Sequence, residues 1–405
     1  MNVTSTPEQL GISKDRLARI KTWMQGYIDT GKLPGATTLV ARHGKVVFCE
    51  TVGYGDLEKK TPLAQDSILR FYSMTKPITA VAVMMLYEQG LFQLDDPLSA
   101  FIPAFTDMEV YRSGPVDNPV TEPATRPITI QHLMTHTSGL TYGVENEGGV
   151  PELYIKHHTD FNAGDGPLAA VVDRLADLPL EFQPGSRWEY SVAFDVLGRL
   201  VEVVSGKSLD TYLKENIFEP LGMNDTGFLV PESKLERFVS LYQCTPEYSL
   251  SLLESAENSP LTGDVQTLSG GGGLVSTLED YFYFTEMLRR KGALNGRRLL
   301  GRKSVELMTC NHMPGDLADM GQPTFCETTY EGIGFGLGMS VMIDPAKAKI
   351  LGTPGEYAWG GYASTAFWVD PVEDLTVIFL TQLIPSGAYP IRRELRVLTY
   401  QALVD

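Results

Sequence analysis

The chain has 405 residues, of which 43% are hydrophobic and 20% charged, which suits about two to three folding units or one two-lobed unit. Fifty acidic residues against 33 Lys and Arg give a formal net charge of −17. A chain this acidic repels the phosphate backbone of nucleic acids and anionic membrane surfaces, so we expect neither as a partner.

The sequence shows no sign of export or membrane insertion. Its most apolar stretch, residues 78–87, has about half of the roughly 20 residues that a transmembrane helix needs. The N-terminus lacks a basic segment followed by an apolar one, and no C-x-x-C pair occurs among Cys49, Cys244, Cys310 and Cys326. We therefore expect a cytoplasmic protein with reduced thiols.

The first elements are a helix, a hairpin and a second helix. Apolar residues at helical spacing predict an amphipathic helix over residues 17–28. Two β-like runs, residues 36–41 and 46–53, predict a hairpin. Residues 73–89 have a helical pattern that is apolar nearly all round, which is typical of a helix in the middle of a protein.

The middle of the chain mixes helices with loops rich in proline and glycine. Its clearest helical patterns cover residues 128–135, 167–178, 194–204 and 208–217. The glycine run 269–274 lacks the G-K-[ST] ending of a phosphate-binding loop, so we interpret it as a tight turn or a close approach of the backbone. A capping box formed by Ser276 and Glu279 is expected to begin a helix that ends at Leu288.

The last part of the chain returns to strands. They are predicted at residues 338–343, 364–369 and 375–382, followed by a terminal helix over 389–404. Two early strands, three late strands and a helix at each end indicate one antiparallel sheet closed by both termini. We therefore predict an α+β fold in which the helical middle is an insertion.

The sharpest chemical signal is Ser73-Met74-Thr75-Lys76, the only S-x-x-K in the chain. Three residues along a helix return to the same face, which places Lys76 beside the Ser73 hydroxyl in an apolar environment that disfavours its charged form. A neutral lysine can accept the serine proton, and the N-terminus of a helix can stabilise an oxyanion. The tetrapeptide also fits a serine N-cap followed by a lysine that reaches solvent.

Two further segments can complete such a site. If Tyr190 reaches Ser73, its hydroxyl can relay a proton to a leaving group; otherwise it is a half-buried packing residue. The paired glycines of Trp359-Gly360-Gly361-Tyr362 let the backbone approach a ligand closely, and the N–H of Tyr362 can then complete an oxyanion hole. The alternative for this second segment is a simple turn before a strand.

Other candidate residues are weaker. His132 and His136 are four residues apart on a predicted helix, but no third metal ligand is evident nearby, so we expect structural histidines. His157-His158 falls in a predicted loop and is expected to be solvated. The aromatic residues of the insertion are assigned to ordinary packing rather than to an acyl pocket; they are Tyr142, Tyr154, Phe161 and Tyr242.

In chain order these motifs resemble those of the class C β-lactamase and penicillin-binding-protein superfamily, most closely its family VIII carboxylesterases. The matching motifs are S-x-x-K at Ser73–Lys76, Y-S-x at Tyr190–Val192 and W-G-G at Trp359–Gly361. Supporting matches are L-M-T-H-T-S-G-L at 133–140 and P-L-G-M at 220–223. The resemblance covers nearly the whole chain.

The resemblance implies a β-lactamase-like, two-lobed fold with the active site in the cleft between the lobes. An α/β lobe is expected to comprise residues 1–72 and 266–405, and a mostly helical lobe residues 73–265. No metal or organic cofactor is implied.

The resemblance also implies a serine esterase that forms an acyl-enzyme. By similarity, Ser73 is the nucleophile, Lys76 the general base and Tyr190 the residue that shuttles protons. The backbone N–H groups of Ser73 and Tyr362 are expected to form the oxyanion hole.

Two departures from the family pattern bear on the substrate. Val192 stands where β-lactamases of this superfamily carry the asparagine of Y-x-N, and Trp359 stands where they carry the lysine of K-T-G. Both changes replace polar recognition with apolar surface, so we expect Val192 and Trp359–Gly361 to bind small neutral esters.

Several alternatives stay open. They are an acyltransferase of the same fold, a β-lactamase or D-alanyl peptidase, and a binding protein that keeps the fold without turnover. The chain contains no G-x-S-x-G, which excludes the nucleophile elbow of α/β-hydrolases.

Overall fold

The computed structural model describes residues 1–143 and 148–405. The helices are α1 (Lys14–Leu17), α2 (Arg19–Asp29), α3 (Thr75–Glu88), α4 (Ile130–Met134), α5 (Gly149–His157), α6 (Leu168–Ala176), α7 (Ala193–Ser205), α8 (Leu209–Leu213), α9 (Glu219–Leu221), α10 (Leu278–Arg289), α11 (Arg302–Met308), α12 (Pro345–Ala348) and α13 (Ile391–Tyr400). Within the described ranges, none of these helices has the length and apolarity required to cross a membrane.

The strands form one large sheet and several small ones. They are β1 (Gly35–Arg42), β2 (Lys45–Asp56), β3 (Thr61–Pro62), β4 (Leu69–Arg70), β5 (Glu109–Ser113), β6 (Val120–Pro123), β7 (Leu241–Cys244), β8 (Leu250–Glu254), β9 (Val275–Ser276), β10 (Ala293–Leu294), β11 (Arg297–Arg298), β12 (Thr324–Phe325), β13 (Thr328–Thr329), β14 (Ile333–Phe335), β15 (Ser340–Met342), β16 (Tyr357–Gly360), β17 (Ala366–Asp370), β18 (Leu375–Leu380) and β19 (Leu383–Ile384). The large sheet has the order β14-β15-β16-β17-β18-β1-β2-β3.

The large sheet is antiparallel and joins both ends of the chain. β1 and β2 form the predicted hairpin, and the other edge of β1 pairs with the late strand β18, with Leu39 opposite Ile378. This arrangement confirms the predicted α+β fold with one antiparallel sheet. Strands β14 and β16 were not predicted, so the late part of the sheet is larger than expected.

Both faces of the central strands β1, β17 and β18 are buried, because helices cover each face of the sheet. Side chains alternate along a strand, so Leu39 points into the core shared with α3 and α10, whereas Val40 points into the core shared with α2 and α13. On β17, Phe367 points into the same core as Leu39, and Trp368 points into the same core as Val40. The sequences of β17 and β18 are consequently nearly continuous hydrophobic runs, without alternation of polar and apolar residues.

Helix α3 lies in the interior, as its apolar sequence predicted. It packs against α7, and nearly all of its side chains are buried. The helix begins at Thr75, two residues later than predicted, because Tyr72–Met74 form a 3₁₀ turn. The backbone of Tyr72 has a φ of 44°, which ends the preceding strand segment in a sharp bend.

The other predicted helices are present with shifted ends. The patterns at 128–135, 167–178 and 194–204 correspond to α4, α6 and α7, and the pattern at 208–217 divides into α8 and a following π-helical segment. The predicted capping box is wrong by one residue: Thr277, not Ser276, is the N-cap of α10, and its side chain accepts from the N–H of Asp280.

The division into lobes at 1–72, 73–265 and 266–405 stays a proposal, which one pairing supports. Strand β4 precedes the inserted segment, β9 follows it, and the two strands pair with each other. The chain therefore leaves and re-enters the sheet-containing part at neighbouring positions.

Candidate active site

Ser73 occupies the bend that precedes α3. It belongs to the 3₁₀ turn Tyr72–Met74 and lines a cleft of about 340 Å³. A positive φ is uncommon for a bulky residue such as Tyr72, so the packing around it must hold this bend in place. The Tyr72 ring contacts the ring of Tyr362 edge to face, with centroids 5.9 Å apart. The bend thus presents the Ser73 hydroxyl at the cleft.

Lys76 lies one turn further on and is fully buried. Its Nζ is 3.3 Å from Ser73 Oγ, and it donates hydrogen bonds of 2.9 Å to the Tyr142 hydroxyl and to the Gly271 carbonyl. A buried amine requires such acceptors, since burial without hydrogen bonds is costly. The amine therefore contacts Ser73, the helical insertion through Tyr142 and the glycine run through Gly271.

Tyr190 lies against the same amine. The Nζ atom of Lys76 is 4.5 Å from the centroid of the Tyr190 ring. Around the ring pack Tyr142 and Trp359, at centroid distances of 5.4 and 5.5 Å. The structure thus brings Ser73, Lys76 and Tyr190 to the same end of the cleft, and their catalytic roles stay a prediction.

Trp359 and Gly360 of the W-G-G segment end strand β16, and Gly361 begins the turn that leads into β17. A Cβ atom at Gly361 would lie 2.3 Å from the Phe71 carbonyl oxygen, and one at Gly360 would lie 2.7 Å from the Thr365 carbonyl oxygen. Only glycine permits these approaches. The backbone before Tyr362 consequently lies against the backbone before Ser73, and Trp359–Tyr362 line the cleft together with Ser73.

Both histidines flagged in the sequence have structural partners. His132 Nδ1 accepts the Thr129 N–H in the N-terminal cap of α4, and His136 Nδ1 is 3.0 Å from Ser191 Oγ. His136 lies beyond the end of α4, so the predicted helical spacing of the pair is wrong. Burial and the nearby Lys76 charge lower the pKa of His136 well below its ordinary value, so its ring is neutral. Among the described residues no cluster of acidic, His and Cys side chains fits a metal ion.

Comparison with known proteins identifies the family. The sequence matches the family described as Beta-lactamase over residues 20–401. The chain belongs to this family. Esterase EstB from Burkholderia gladioli is 32% identical to the chain over 390 residues, which cover 91% of each protein. An uncharacterized protein of Mycobacterium tuberculosis, MT1414, is 36% identical over 369 residues, which cover 88% of each protein.

Solved structures agree with the sequence relatives. EstCE1, described as a hydrolase with promiscuous acyltransferase activity, superimposes with a TM-score of 0.79 and 28% identity, over 95% of this chain and 99% of its own. Unliganded simvastatin synthase from Aspergillus terreus gives a TM-score of 0.77 at 22% identity, over 97% of this chain and 98% of its own, and shows the shared fold alone. The resemblance to family VIII carboxylesterases is confirmed, and this β-lactamase-family protein is an esterase or acyltransferase of the serine hydrolase type.

One predicted substrate-binding residue of this β-lactamase-family protein does not reach the cleft. Val192 is fully buried at the N-cap of α7, where its N–H donates to the Thr141 carbonyl at 3.2 Å. It is absent from the described residues that line the cleft. The Val192 side chain is therefore used in core packing in this structure, and its contact with substrate stays a prediction.

The cleft continues from Ser73 and Tyr190 across the sheet towards α13. Its lining is rich in apolar and aromatic side chains, including Phe325, Tyr330, Ile333, Met342, Ala358, Trp359, Ala366 and Trp368. Arg392 also lines the cleft, but its guanidinium pairs with Glu327 at 3.1 Å. The charge of Arg392 is thus compensated within the protein.

Three groups at the site were missed at the sequence level: Tyr142, the Gly271 carbonyl and Asp195. Asp195 is fully buried on α7, and its Oδ1 accepts from Ser269 Oγ at 2.5 Å and from the Gly271 N–H at 3.0 Å. Burial raises the pKa of Asp195 to about 6, against the opposing effects of the Lys76 charge and of these hydrogen bonds. An acidic residue on the apolar face of a predicted helix, just after Tyr190, was the signal available in the sequence.

The raised pKa of Asp195 predicts a pH dependence of stability. Its folded pKa of about 6 exceeds the ordinary value of 3.8, so folding favours the protonated carboxyl. The stability contributed by protonation is therefore present below about pH 4 and is lost as the pH rises through 6. Relative to Asp195→Asn, the wild-type free energy of unfolding should fall by on the order of 3 kcal/mol across this interval, measured by urea titration. A difference that is independent of pH would contradict this assignment.

Proposed function

We propose that the protein is a serine carboxylesterase that hydrolyses neutral, short-chain acyl esters through an acyl-enzyme on Ser73. The observation that carries the proposal is the 3.3 Å separation between Lys76 Nζ and Ser73 Oγ at the wall of a largely apolar cleft. Nucleophilic catalysis by serine requires a base within hydrogen-bond reach of the hydroxyl.

In the acylation step, Lys76 in its deprotonated form takes the Ser73 proton while Oγ attacks the carbonyl carbon of the ester. The full burial of Lys76 supports this role, because a low-dielectric environment disfavours the ammonium form. The carbonyl double bond becomes a single bond, and its oxygen takes up the negative charge.

The oxyanion of this tetrahedral intermediate is held by the N–H groups of Ser73 and Tyr362. The close approach of Gly361 to the Phe71 carbonyl supports the pairing, since it brings the backbone before each donor into contact. Donors fixed before the reaction stabilise the developing charge without reorganisation.

Collapse of the intermediate breaks the ester bond, and the leaving alkoxide needs a proton. Tyr142 accepts a hydrogen bond from Lys76 at 2.9 Å, and the Tyr190 ring lies 4.5 Å from the same amine. We assign to Tyr190 the role of relaying the proton from Lys76 to the leaving oxygen. Tyr142 provides a second hydroxyl in contact with the base. Water then attacks the acyl-enzyme, and the same groups work in reverse.

The lining of the cleft supports a small, neutral substrate. Trp359 presents apolar surface where a lysine would hold a carboxylate, and Arg392 is already paired with Glu327. A volume of about 340 Å³ lies near the lower end of the roughly 300–1,000 Å³ found for ligand pockets. Short acyl esters of simple alcohols fit these conditions.

Acyl transfer to an alcohol is the second candidate function. It is favoured by EstCE1, whose described activities include promiscuous acyl transfer. Adding a short alcohol to the assay separates the two functions: a hydrolase yields mainly the free acid, whereas a transferase yields mainly the new ester.

Ser73→Ala should abolish nearly all ester hydrolysis while leaving the unfolding transition almost unchanged, because only one hydroxyl is removed. The measurement is turnover of nitrophenyl butyrate beside a thermal unfolding curve. Ser340→Ala is the matched control, since Ser340 lines the same cleft but donates its hydroxyl to the Ala358 carbonyl instead of contacting Lys76. Substantial turnover by Ser73→Ala would remove Ser73 from the mechanism.

Lys76→Met and Tyr190→Phe should each lower kcat by about 10²–10⁴-fold with little change in KM, because proton transfer matters in the transition state and not for binding a neutral ester. Steady-state kinetics measures both constants. Tyr212→Phe is the control for losing a buried tyrosine hydroxyl, as Tyr212 is buried and does not belong to the described cleft lining. Wild-type kcat in either site variant would exclude that residue from catalysis.

Nitrophenyl butyrate should have a kcat/KM several orders of magnitude above that of a chromogenic cephalosporin. The cephalosporin brings a carboxylate next to Trp359, which has no positive charge to pair with it, and leaving a polar group unpaired costs about 1–3 kcal/mol or more. The butyryl chain instead gains roughly 0.8 kcal/mol per buried methylene. Comparable constants for the two substrates would favour a β-lactamase.

A further inference from the structure

Asp195 and Lys76 are connected through a single residue of the glycine run. The Gly271 N–H donates to Asp195 Oδ1 at 3.0 Å, and the Gly271 carbonyl accepts from Lys76 Nζ at 2.9 Å. Ser269 Oγ donates to the same carboxylate oxygen at 2.5 Å, and it also accepts the Gly272 N–H at 2.9 Å. One carboxylate thus holds the turn whose carbonyl faces the amine.

The turn is clamped between two helices. On the α7 side, a Cβ atom at Gly271 would lie 2.5 Å from Asp195 Oδ2, and one at Gly270 would lie 2.5 Å from the Phe194 carbonyl oxygen. On the α3 side, Thr79 Oγ1 donates to the Gly270 carbonyl at 2.7 Å. These approaches confirm the close backbone contact predicted for the glycine run, and they fix the position of the Gly271 carbonyl relative to α3.

An ionised carboxylate is an expensive choice for this position. Asp195 is fully buried, and burial raises its pKa to about 6. A carboxylate nevertheless accepts two hydrogen bonds at one oxygen more strongly than a neutral group does, because charge-assisted hydrogen bonds are the stronger ones. Burying the ionised carboxylate therefore lowers the stability of the fold, whereas its hydrogen bonds hold the glycine turn beside Lys76 rigid.

We propose that Asp195 is a positioning residue for Lys76: it fixes the Gly271 carbonyl, which in turn aims the amine at Ser73 Oγ. This inference rests on the proposed esterase function. Without the carboxylate, the turn relaxes and the amine loses a fixed acceptor, although Ser73 and the cleft lining stay in place. A base displaced by about 1 Å can cost on the order of 10²-fold in rate.

The test compares Asp195→Ala, Asp195→Asn and Ser269→Ala in the full chain with nitrophenyl butyrate as substrate. We expect Asp195→Ala to lower kcat by about 10- to 100-fold with KM changed by less than about threefold. Asp195→Asn should recover part of this loss, because its amide oxygen still accepts from Ser269 and Gly271. Ser269→Ala should lower kcat less than Asp195→Ala does, since it removes one of the two donors.

Asp280→Asn is the matched control for losing a buried carboxylate. Asp280 Oδ2 accepts from the Asp225 N–H at 2.7 Å and from Thr226 Oγ1 at 2.8 Å, and burial raises its pKa too. Asp280 is absent from the described residues that line the cleft, so its variant should keep kcat within about twofold while changing stability.

Two outcomes would overturn the positioning role. One is a wild-type kcat in folded Asp195→Asn and Ser269→Ala, and the other is an equal loss of kcat in Asp280→Asn. If Asp195→Ala does not fold, Asp195→Asn and Ser269→Ala still decide between these results. Ser73→Ala in the same assay keeps the two failures apart. Turnover in Ser73→Ala refutes the esterase mechanism itself, whereas loss of turnover in Ser73→Ala together with wild-type kcat in the Asp195 and Ser269 variants refutes only the role of Asp195.

Discussion

The amine of Lys76 is buried beside Ser73, and the arrangement of the surrounding elements follows from the hydrogen bonds that this amine requires. Its acceptors belong to segments far apart in the chain: Tyr142 in the helical insertion and Gly271 in the glycine run. A buried amine without such partners would be strongly destabilising. The insertion and the return into the sheet therefore have to converge on the start of α3.

Backbone contact achieves this convergence. Gly361 packs against the Phe71 carbonyl on one side of the site, and Gly270 and Gly271 pack against α7 on another. A side chain at any of these glycines would separate the neighbouring elements so far that the hydrogen bonds between them would break. Close packing at the glycines thus fixes the positions of Ser73 and Lys76 relative to the sheet and to α7.

The part of the site set by local spacing was predictable, and the part set by distant contacts was not. Ser73 and Lys76 are three residues apart at a helix start, so their proximity followed from helical geometry. Tyr142 contacts the Lys76 amine across 66 residues of chain, and Asp195 contacts the Gly271 N–H across 76 residues. No local sequence pattern encodes contacts over such separations. The position of Val192 in a motif likewise does not show that its side chain is buried in the core beside the cleft.

The fold shows the same division. The hairpin and α3 have strong apolar patterns and appear where the sequence predicted them. Strand β16 was missed because one glycine ends it and a second glycine follows it, which weakens the strand signal, and its pairing with β15 and β17 makes it a strand. That pairing is what carries Trp359 into the aromatic wall next to Tyr190.

Catalysis through an acyl-enzyme requires a transient ester bond to Ser73, which can be detected directly. The most direct test is acid quenching of the enzyme during turnover of nitrophenyl butyrate, followed by peptide mass spectrometry. An acyl-enzyme on Ser73 predicts that the peptide containing Ser73 gains the mass of one butyryl group, and that this adduct disappears when substrate is exhausted. Active turnover with no adduct on this peptide, or with the adduct on another residue, would contradict it.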